Sequence, residues 1–172
     1  VHGYLYPIKK KLPESFFIRG ADCLGWGTWK RGWDLFTPNG AELLDQIRAH
    51  KLEWTFDFSG SYPFMKMLEK QAEGSVSSWA VRWYASALLK GKLTLYPGRS
   101  LIFHNGSDGS GTNYSGDNAL DVKLSDRPIV LERLLLEEDK NARKAFIGYF
   151  RYAMLWHKIQ YRIKSVFQGR KG

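Results

Sequence analysis

The order of apolar and polar positions along the chain predicts a mixed α/β (α+β) protein with short strands. Polar and apolar residues alternate over 1–8, and a short apolar run covers 16–18, so both segments are predicted strands. Two further strands are expected over 93–96 and 100–104, with a Pro-Gly turn at 97–98 between them.

Apolar residues at helical spacing predict five helices. They are expected over residues 25–36, 41–50, 64–73, 79–90 and about 139–167. Within the first, Trp26, Trp29, Trp33 and Phe36 recur at intervals of three and four residues, which places three indoles on one face. The last helix has acidic residues near its start and basic residues at its end, as the helix dipole favours.

The remaining segments indicate one domain with a long glycine-containing loop. Residues 105–117 include four glycines and few apolar groups, and loops of this kind in compact domains are usually functional or disordered. Either Ser77 or Ser78 is expected to cap the helix that follows them. We expect residues 1–137 to form one region, with a basic aromatic helix within 138–172 packed on it.

Composition excludes several classes of protein. A hydrophobic content of 44% with 15% aromatic residues is too high for a disordered chain. The single cysteine, Cys23, excludes a disulfide scaffold, and we interpret it as a small buried apolar residue. The four histidines are scattered, so a metal cage is not expected. No apolar run reaches the roughly 18 to 20 residues that span a bilayer.

The net charge of +9 is concentrated at one end of the chain. Residues 1–139 hold all 17 acidic residues and 17 of the 26 basic ones, whereas residues 140–172 hold the other nine basic residues and no acidic one. The basic pI favours a nucleic-acid partner, but a neutral body without a nucleic-acid motif argues against one.

Two segments carry side chains suited to binding a ligand. The segment 19–33 combines Asp22 with Trp26 and Trp29, and indole faces with nearby charged groups suit sugar rings. The alternative is a tryptophan-rich core helix. The second segment contains Arg82 and the loop 108–112, whose backbone amides are suited to a phosphate or a hydroxyl-rich ligand. The alternative there is a plain surface loop.

Taken in order, these segments resemble the acceptor-side, C-terminal half of a bacterial family-2-type glycosyltransferase. The resemblance rests on GYLYPI at 3–8, on LP, SFF, RGADC and GWGTWKRGWDLF within 12–36, on SWAVRWYASALLKGKLTLYPGRSL at 78–101, and on DGSGTN at 108–113. The chain is more distantly similar to the acceptor half of the Golgi N-acetylglucosaminyltransferase that initiates complex N-glycans. The resemblance implies the GT-A fold, in which a nucleotide-binding α/β half precedes an acceptor-binding half.

The resemblance also implies parts that this sequence does not contain. The nucleotide-binding half, with an Asp-x-Asp motif for a divalent metal (Mn or Mg), is expected before Val1. The chain is therefore interpreted as an excised or truncated acceptor half. No metal ligand is expected within it, because Asn113 occupies the position where relatives carry a histidine.

The position of the general base departs from the family pattern. Relatives carry Asp-Ser-Trp before the helix over 79–90, and the resemblance makes that aspartate the base that deprotonates the acceptor hydroxyl. Here Ser77 occupies the position, and serine without a basic partner is unsuited to the role. Glu73, Asp57 and Asp108 are alternative bases, and the sequence favours none of them.

The implied function is transfer of a sugar from a nucleotide-sugar donor to a saccharide or lipid-linked acceptor. An inverting single displacement is the first expectation, and a retaining reaction stays open. The candidate substrate-binding residues are Asp22, Trp26, Trp29, Arg82, Asp108, Gly109, Ser110, Gly111 and Thr112. The first four are expected to shape the acceptor pocket, and the last five to close over the diphosphate. The alternative is a non-catalytic saccharide-binding or membrane-docking remnant of such an enzyme.

The C-terminal segment indicates where in the cell the protein is expected to lie. Two apolar stripes are expected on the last helix: one holds Tyr149, Tyr152, Trp156, Ile159, Ile163 and Val166, and the other holds Phe146, Phe150 and Met154. With basic residues beside them, residues 143–171 suit an anionic membrane surface, and packing against the nucleotide-binding half is the alternative. We therefore expect a cytoplasmic protein, peripheral at the inner face of a bacterial membrane.

Overall fold

The computed structural model describes residues 1–103 and 120–168, with side chains in the last helix described as far as Trp156 and at Ile159. The described residues form a mixed α/β fold with six helices and one two-stranded sheet. In chain order the elements are β1 (Ser15–Ile18), α1 (Lys30–Trp33), α2 (Gly40–Ala49), α3 (Glu53–Phe56), α4 (Phe64–Ala72), α5 (Trp79–Leu89), β2 (Thr94–Pro97) and α6 (Lys140–Gln168).

The sheet pairs β1 with β2 in antiparallel register. Phe16 lies opposite Tyr96, and both side chains are buried with their rings stacked at a centroid distance of 6.0 Å. The pairing ends where the Gly98 amide donates to the Glu14 carbonyl at 2.8 Å. A β-carbon at Gly98 would overlap the Pro13 carbonyl, so glycine permits this close approach of the two backbones. The two predicted strands at 16–18 and 93–96 are thereby confirmed.

Three of the predicted helices pack together as α2, α4 and α5. Asn39 caps α2 by accepting from two amides of its first turn, and Leu43 and Ile47 on its inner face are buried. Of the two serines considered as the cap of α5, Ser78 accepts from the Val81 amide. The Ser78 cap confirms the prediction, because capping depends on residues within one helical turn.

Helix α6 confirms the predicted long C-terminal helix, and its first half belongs to the core. Asp139 caps it by accepting from the amides of Asn141 and Ala142 at 2.8 Å. Phe146 and Phe150 are buried, so the second predicted stripe packs inward. The first stripe divides, because Tyr149 lies against the Tyr6 ring at 5.1 Å, whereas Tyr152 is exposed.

The strand predicted over 1–8 is wrong. This segment is extended and forms one isolated bridge, between His2 and Trp26. The His2 amide donates to Leu95, whereas the Gly3 amide donates to Gly25, so consecutive residues pair with different segments and no ladder forms. Burial does not alternate along the segment either, because Tyr4, Leu5 and Tyr6 are all buried.

The helix predicted over 25–36 is also wrong, since only the four residues of α1 are helical. Gly25 has a φ of +59°, a left-handed conformation that an α-helix does not contain, and Trp26 is held in the bridge to His2. The strand predicted over 100–104 is absent from its described part, 100–103, where the Ser100 hydroxyl donates to the Ile102 carbonyl at 2.7 Å. His104 lies outside the described residues.

A helix that crosses a lipid bilayer has to be both long and apolar. Within the part of the chain that the structure describes, no helix is both long enough and apolar enough to do so. Helix α6 has the length, but charged residues interrupt it.

Candidate functional site

A cavity of about 340 Å³ lies where residues 1–2, the loop before α1 and the end of α5 meet. Its walls combine indole rings with a few polar side chains, as small-molecule sites commonly do. The lining residues with aromatic or charged side chains are His2, Asp22, Trp26, Trp29, Arg31, Trp83 and Lys92.

Asp22 supplies the carboxylate at this wall. Its Oδ2 accepts from the Tyr96 hydroxyl at 2.7 Å, and its Oδ1 accepts from the Leu24 amide at 3.3 Å. Tyr96 is buried, and burial together with the Asp22 charge raises the pKa of its phenol, so this hydroxyl remains a donor. The carboxylate is thus fixed from behind while 17% of the side chain stays exposed.

His2 holds the same carboxylate from a second direction. Its imidazole is fully buried, lies 2.6 Å (Nε2) from Asp22 Oδ1, and stacks on the Tyr96 ring at 4.5 Å. The Nε2–H direction is not aligned on that oxygen, so the contact is an ion-pair contact rather than a hydrogen bond. Nδ1 lies 2.8 Å from the Tyr4 carbonyl. The imidazole therefore lies between the Tyr4 carbonyl and the Asp22 carboxylate.

Four tryptophans, Trp26, Trp33, Trp79 and Trp83, form a cluster, and two of them, Trp26 and Trp83, line the cavity. Their ring centroids lie 5.3 to 6.3 Å apart. Trp83 on α5 is buried, whereas Trp33 and Trp79 are 42% and 44% exposed. The cluster therefore joins the core at Trp83 and is exposed to solvent at Trp33 and Trp79, which do not line the cavity.

Trp29 completes the cavity from the loop before α1. It is the most exposed of the lining tryptophans at 57%, and the Arg31 guanidinium lies over its ring at 5.0 Å from the centroid. This contact holds a flat aromatic surface in place without burying it. A sugar ring stacked on such a surface would have charged groups beside it for its hydroxyls.

The structure places the predicted site residues in three different situations. Asp22, Trp26 and Trp29 line one cavity. Arg82 does not: its guanidinium donates to the carbonyls of Pro38 at 2.7 Å and Ser78 at 3.2 Å and so stabilises the start of α5. Asp108, Gly109, Ser110, Gly111, Thr112 and Asn113 lie outside the described residues.

The candidate bases are also separated. Ser77 is exposed and does not line the cavity. Asp57 caps α4 by accepting from the Met65 amide at 2.7 Å, and burial raises the pKa of its carboxyl group. Glu73 is exposed at the end of α4. Among the described residues that line the cavity, Asp22 is the one with a carboxylate.

The Cys23 thiol is not suited to act as a nucleophile at neutral pH. Burial, and then the neighbouring charge of Asp22, raises the pKa of its thiol to about 12. A thiol with that pKa is almost entirely protonated at pH 7 and does not attack a substrate.

Sequence reasoning missed the two residues that orient Asp22. His2 and Tyr96 lie 20 and 74 positions away from it in the chain. Nothing in the local pattern around either residue indicates this contact, because folding of 1–8 against β2 creates it. Trp83 belongs to a segment considered as a ligand site, but its place beside Trp26 is likewise a tertiary feature.

The chain was compared with protein-family models, with curated proteins and with solved structures, and no match was found in any of the three.

Proposed function

We propose that this chain forms the acceptor-binding part of a glycosyltransferase and binds a saccharide in the cavity between Asp22 and the tryptophans. One observation carries the proposal: a partly exposed carboxylate, oriented by Tyr96 and His2, faces a cavity walled by Trp26 and Trp29. The resemblance to the acceptor half of family-2-type transferases with the GT-A fold supports the same assignment.

The chemistry of the cavity suits a sugar. Indole faces pack against the apolar C–H face of a pyranose, while a carboxylate accepts hydrogen bonds from its hydroxyls. The volume of about 340 Å³ lies within the usual range for small-molecule sites. Thr28, Arg31 and Lys92 add donors around the rim for the oxygens of the same ligand.

In the proposed reaction, Asp22 is the general base for the acceptor. The acceptor oxygen attacks C1 of the donor sugar and its proton passes to the carboxylate, while the C1–phosphate oxygen bond breaks and the nucleoside diphosphate leaves with the electron pair. In this proposal Asp22 takes the role for which Ser77 is unsuited. The donor is a nucleotide sugar, and the acceptor is a saccharide or a lipid-linked saccharide at the cytoplasmic face of a bacterial membrane.

The metal expected with the nucleotide-binding half does not fit the described residues. Among them, no three His, Cys, Asp or Glu side chains converge so as to hold a metal ion. Asp22 itself is engaged by Tyr96 and His2. The proposal therefore routes no step through Mn or Mg bound to this part of the chain.

A second candidate function is saccharide binding without transfer. Two observations favour it: Ser77 is exposed away from the cavity, and the oxygens of Asp22 already receive the Tyr96 hydroxyl and the Leu24 amide. A carboxylate whose oxygens are fixed by these donors is a good acceptor for a sugar hydroxyl. The two functions share the cavity and differ in what Asp22 does.

Two assays on Asp22→Asn separate these functions. The first is the affinity for a panel of methyl hexopyranosides and short oligosaccharides, followed by tryptophan fluorescence. The second is transfer from a panel of nucleotide sugars in Mn²⁺ buffer, with the protein at the length its cell produces. Asp34→Asn is the matched control, because Asp34 pairs with Lys30 outside the cavity.

If Asp22 acts only as the base in transfer, Asp22→Asn should lose turnover, while its affinity for the saccharide should change by less than about tenfold. If the protein binds a saccharide without transferring a sugar, the unmodified protein should show no transfer, and Asp22→Asn should lose affinity for the saccharide. If no saccharide binds, or if the Asp22 variant matches the Asp34 control in both assays, the proposed function is wrong.

A further inference from the structure

The second half of α6 carries an exposed apolar stripe that the first half lacks. Tyr152, Leu155, Trp156 and Ile159 recur at intervals of three, one and three residues and fall within roughly 100° of the helix circumference. Their exposure ranges from 39% to 65%. We propose that this stripe, flanked by basic residues, docks the protein on an anionic lipid surface with α6 lying in the plane of the interface.

The structure divides α6 into a core half and a free half. Ala142, Phe146 and Phe150 are buried, and Tyr149 packs on Tyr6. These residues are unavailable to a membrane, so docking does not involve the whole of residues 143–171. The lipid-facing surface begins at Tyr152, one turn beyond the last contact of Tyr149 with the core.

Arg143 belongs to the core half as well. Its guanidinium donates to the carbonyls of Arg19 at 3.0 Å and Thr55 at 2.7 Å and pairs with Glu138 at 3.1 Å. It also lies over the Phe58 ring at 4.2 Å from the centroid. This charge stabilises the attachment of α6 to the body and is excluded from the proposed lipid contact.

The remaining charge on the helix complements an anionic surface. Lys140, Lys144 and Arg151 are exposed, and none of them has a carboxylate within 4 Å among the described residues. Lys140, Lys144 and Arg151 recur at intervals of four and seven residues and form a basic row beside the apolar stripe. From residue 140 onward the chain has nine basic residues and no acidic one. Each basic residue near an anionic membrane strengthens binding by about fivefold.

This combination favours lipid over a protein partner. The cores of protein interfaces are depleted in lysine, whereas interfacial membrane helices place Trp on one face and Lys and Arg beside it. Tyr and Trp are also the side chains that concentrate at the boundary between headgroups and acyl chains. An apolar stripe and a basic row together supply the two signals that stable surface docking requires.

Vesicle flotation tests the proposal with the full chain. The vesicles are phosphatidylcholine alone, or phosphatidylcholine with about a third phosphatidylglycerol. Tyr152→Ser combined with Trp156→Ser removes half of the stripe, and Trp54→Ser is its control, since Trp54 is 67% exposed on α3.

A second pair of variants tests the charge. Lys144→Gln with Arg151→Gln removes two charges of the basic row, and Lys66→Gln with Lys70→Gln removes two exposed lysines of α4 as its control.

We expect binding to the anionic vesicles only, weakened by at least tenfold in the stripe variant and by about 25-fold in the charge variant. Both control variants should bind as the unmodified protein does. Absence of binding, equal binding to neutral vesicles, or unchanged binding by the stripe variant would overturn the proposal. Loss of self-association in the stripe variant without vesicle binding would assign the stripe to a second copy of this chain instead. None of these outcomes depends on whether the cavity binds a saccharide.

Discussion

Two aromatic clusters of this protein differ in composition and in exposure. The first surrounds Phe146, whose ring meets those of Tyr6, Phe16, Phe58, Tyr96 and Phe150 at centroid distances between 5.3 and 6.3 Å. All six side chains are buried. The second cluster joins Trp26, Trp33, Trp79 and Trp83 at similar distances, yet two of its rings are more than 40% exposed.

The difference in exposure separates a role in stability from a role in binding. Burial of an aromatic ring is favourable, and the cluster around Phe146 obtains that gain in full. Trp29 keeps a large apolar face in water, in the same cavity as the Asp22 carboxylate that two buried groups hold in place. An exposed aromatic surface next to oriented polar groups is the arrangement expected of a ligand site.

The largest expected effect is on the buried cluster. Phe146→Ala should lower the free energy of unfolding by about 3 to 5 kcal/mol, because it leaves a cavity between α6 and the sheet. Urea denaturation followed by circular dichroism measures the change. A loss below about 1 kcal/mol would mean that α6 does not pack on the core as described.

The next effect tests the link between the two clusters. Tyr96→Phe keeps the buried ring but removes the donor to Asp22, so the free energy of unfolding should fall by about 1 to 3 kcal/mol and saccharide affinity should fall with it. Tyr62→Phe is the control, because Tyr62 lies outside the cavity. Equal behaviour of the two variants in both measurements would show that the hydroxyl does not orient the carboxylate.

A smaller effect is expected at the exposed wall of the cavity. Trp29→Ala should change the free energy of unfolding by no more than about 0.5 kcal/mol, since the ring is largely exposed. Saccharide affinity should fall by about fivefold, because the variant loses one aromatic contact of about 1 kcal/mol. Trp54→Ala, on an exposed tryptophan away from the cavity, should leave the affinity unchanged. A large loss of stability in Trp29→Ala would assign this ring to the core instead.

The smallest effect concerns an ion pair at the end of the sheet, outside both clusters. The Glu14 carboxylate accepts two hydrogen bonds from the Arg99 guanidinium. These bonds, together with one from the Val130 amide, lower the pKa of the Glu14 carboxyl group to about 2. A depressed pKa in the folded state means that the pair stabilises the fold above about pH 4.5 and that this contribution is lost as the pH falls towards 2.

Thermal unfolding of Glu14→Gln against the unmodified protein measures this contribution. The difference in melting temperature should be present at pH 6 and should shrink between pH 4.5 and pH 2. A difference that grows on acidification has the wrong sign for a lowered pKa and would contradict the pairing.

The fold was predictable where the information is local. Helix α2 follows from Asn39 as a cap and from Leu43 and Ile47 on one face, and α5 follows in the same way from Ser78. The segment 1–8 was assigned to a strand from the alternation in its sequence, but Tyr4, Leu5 and Tyr6 are buried one after another, so its burial does not alternate. Its amides pair with two different segments, which no local pattern reveals.

The site was predictable only in part for the same reason. Trp26 and Trp29 were grouped by their spacing, but helical periodicity and a glycine-containing loop give the same intervals. The φ of +59° at Gly25 decides between them, and the sequence does not determine it. His2 and Tyr96 could not be assigned to Asp22, because their contact exists only after β2 and the first residues have packed.

The central claim is that the cavity beside Asp22 binds a saccharide on its tryptophan wall. The most direct test follows the indole N–H resonances of the protein by two-dimensional NMR during titration with an oligosaccharide that binds. The resonances of Trp26 and Trp29 should shift and saturate, whereas that of Trp54 should remain unchanged. If no oligosaccharide in the panel moves the Trp26 and Trp29 resonances up to its solubility limit, or if Trp54 shifts to the same extent, the claim is contradicted.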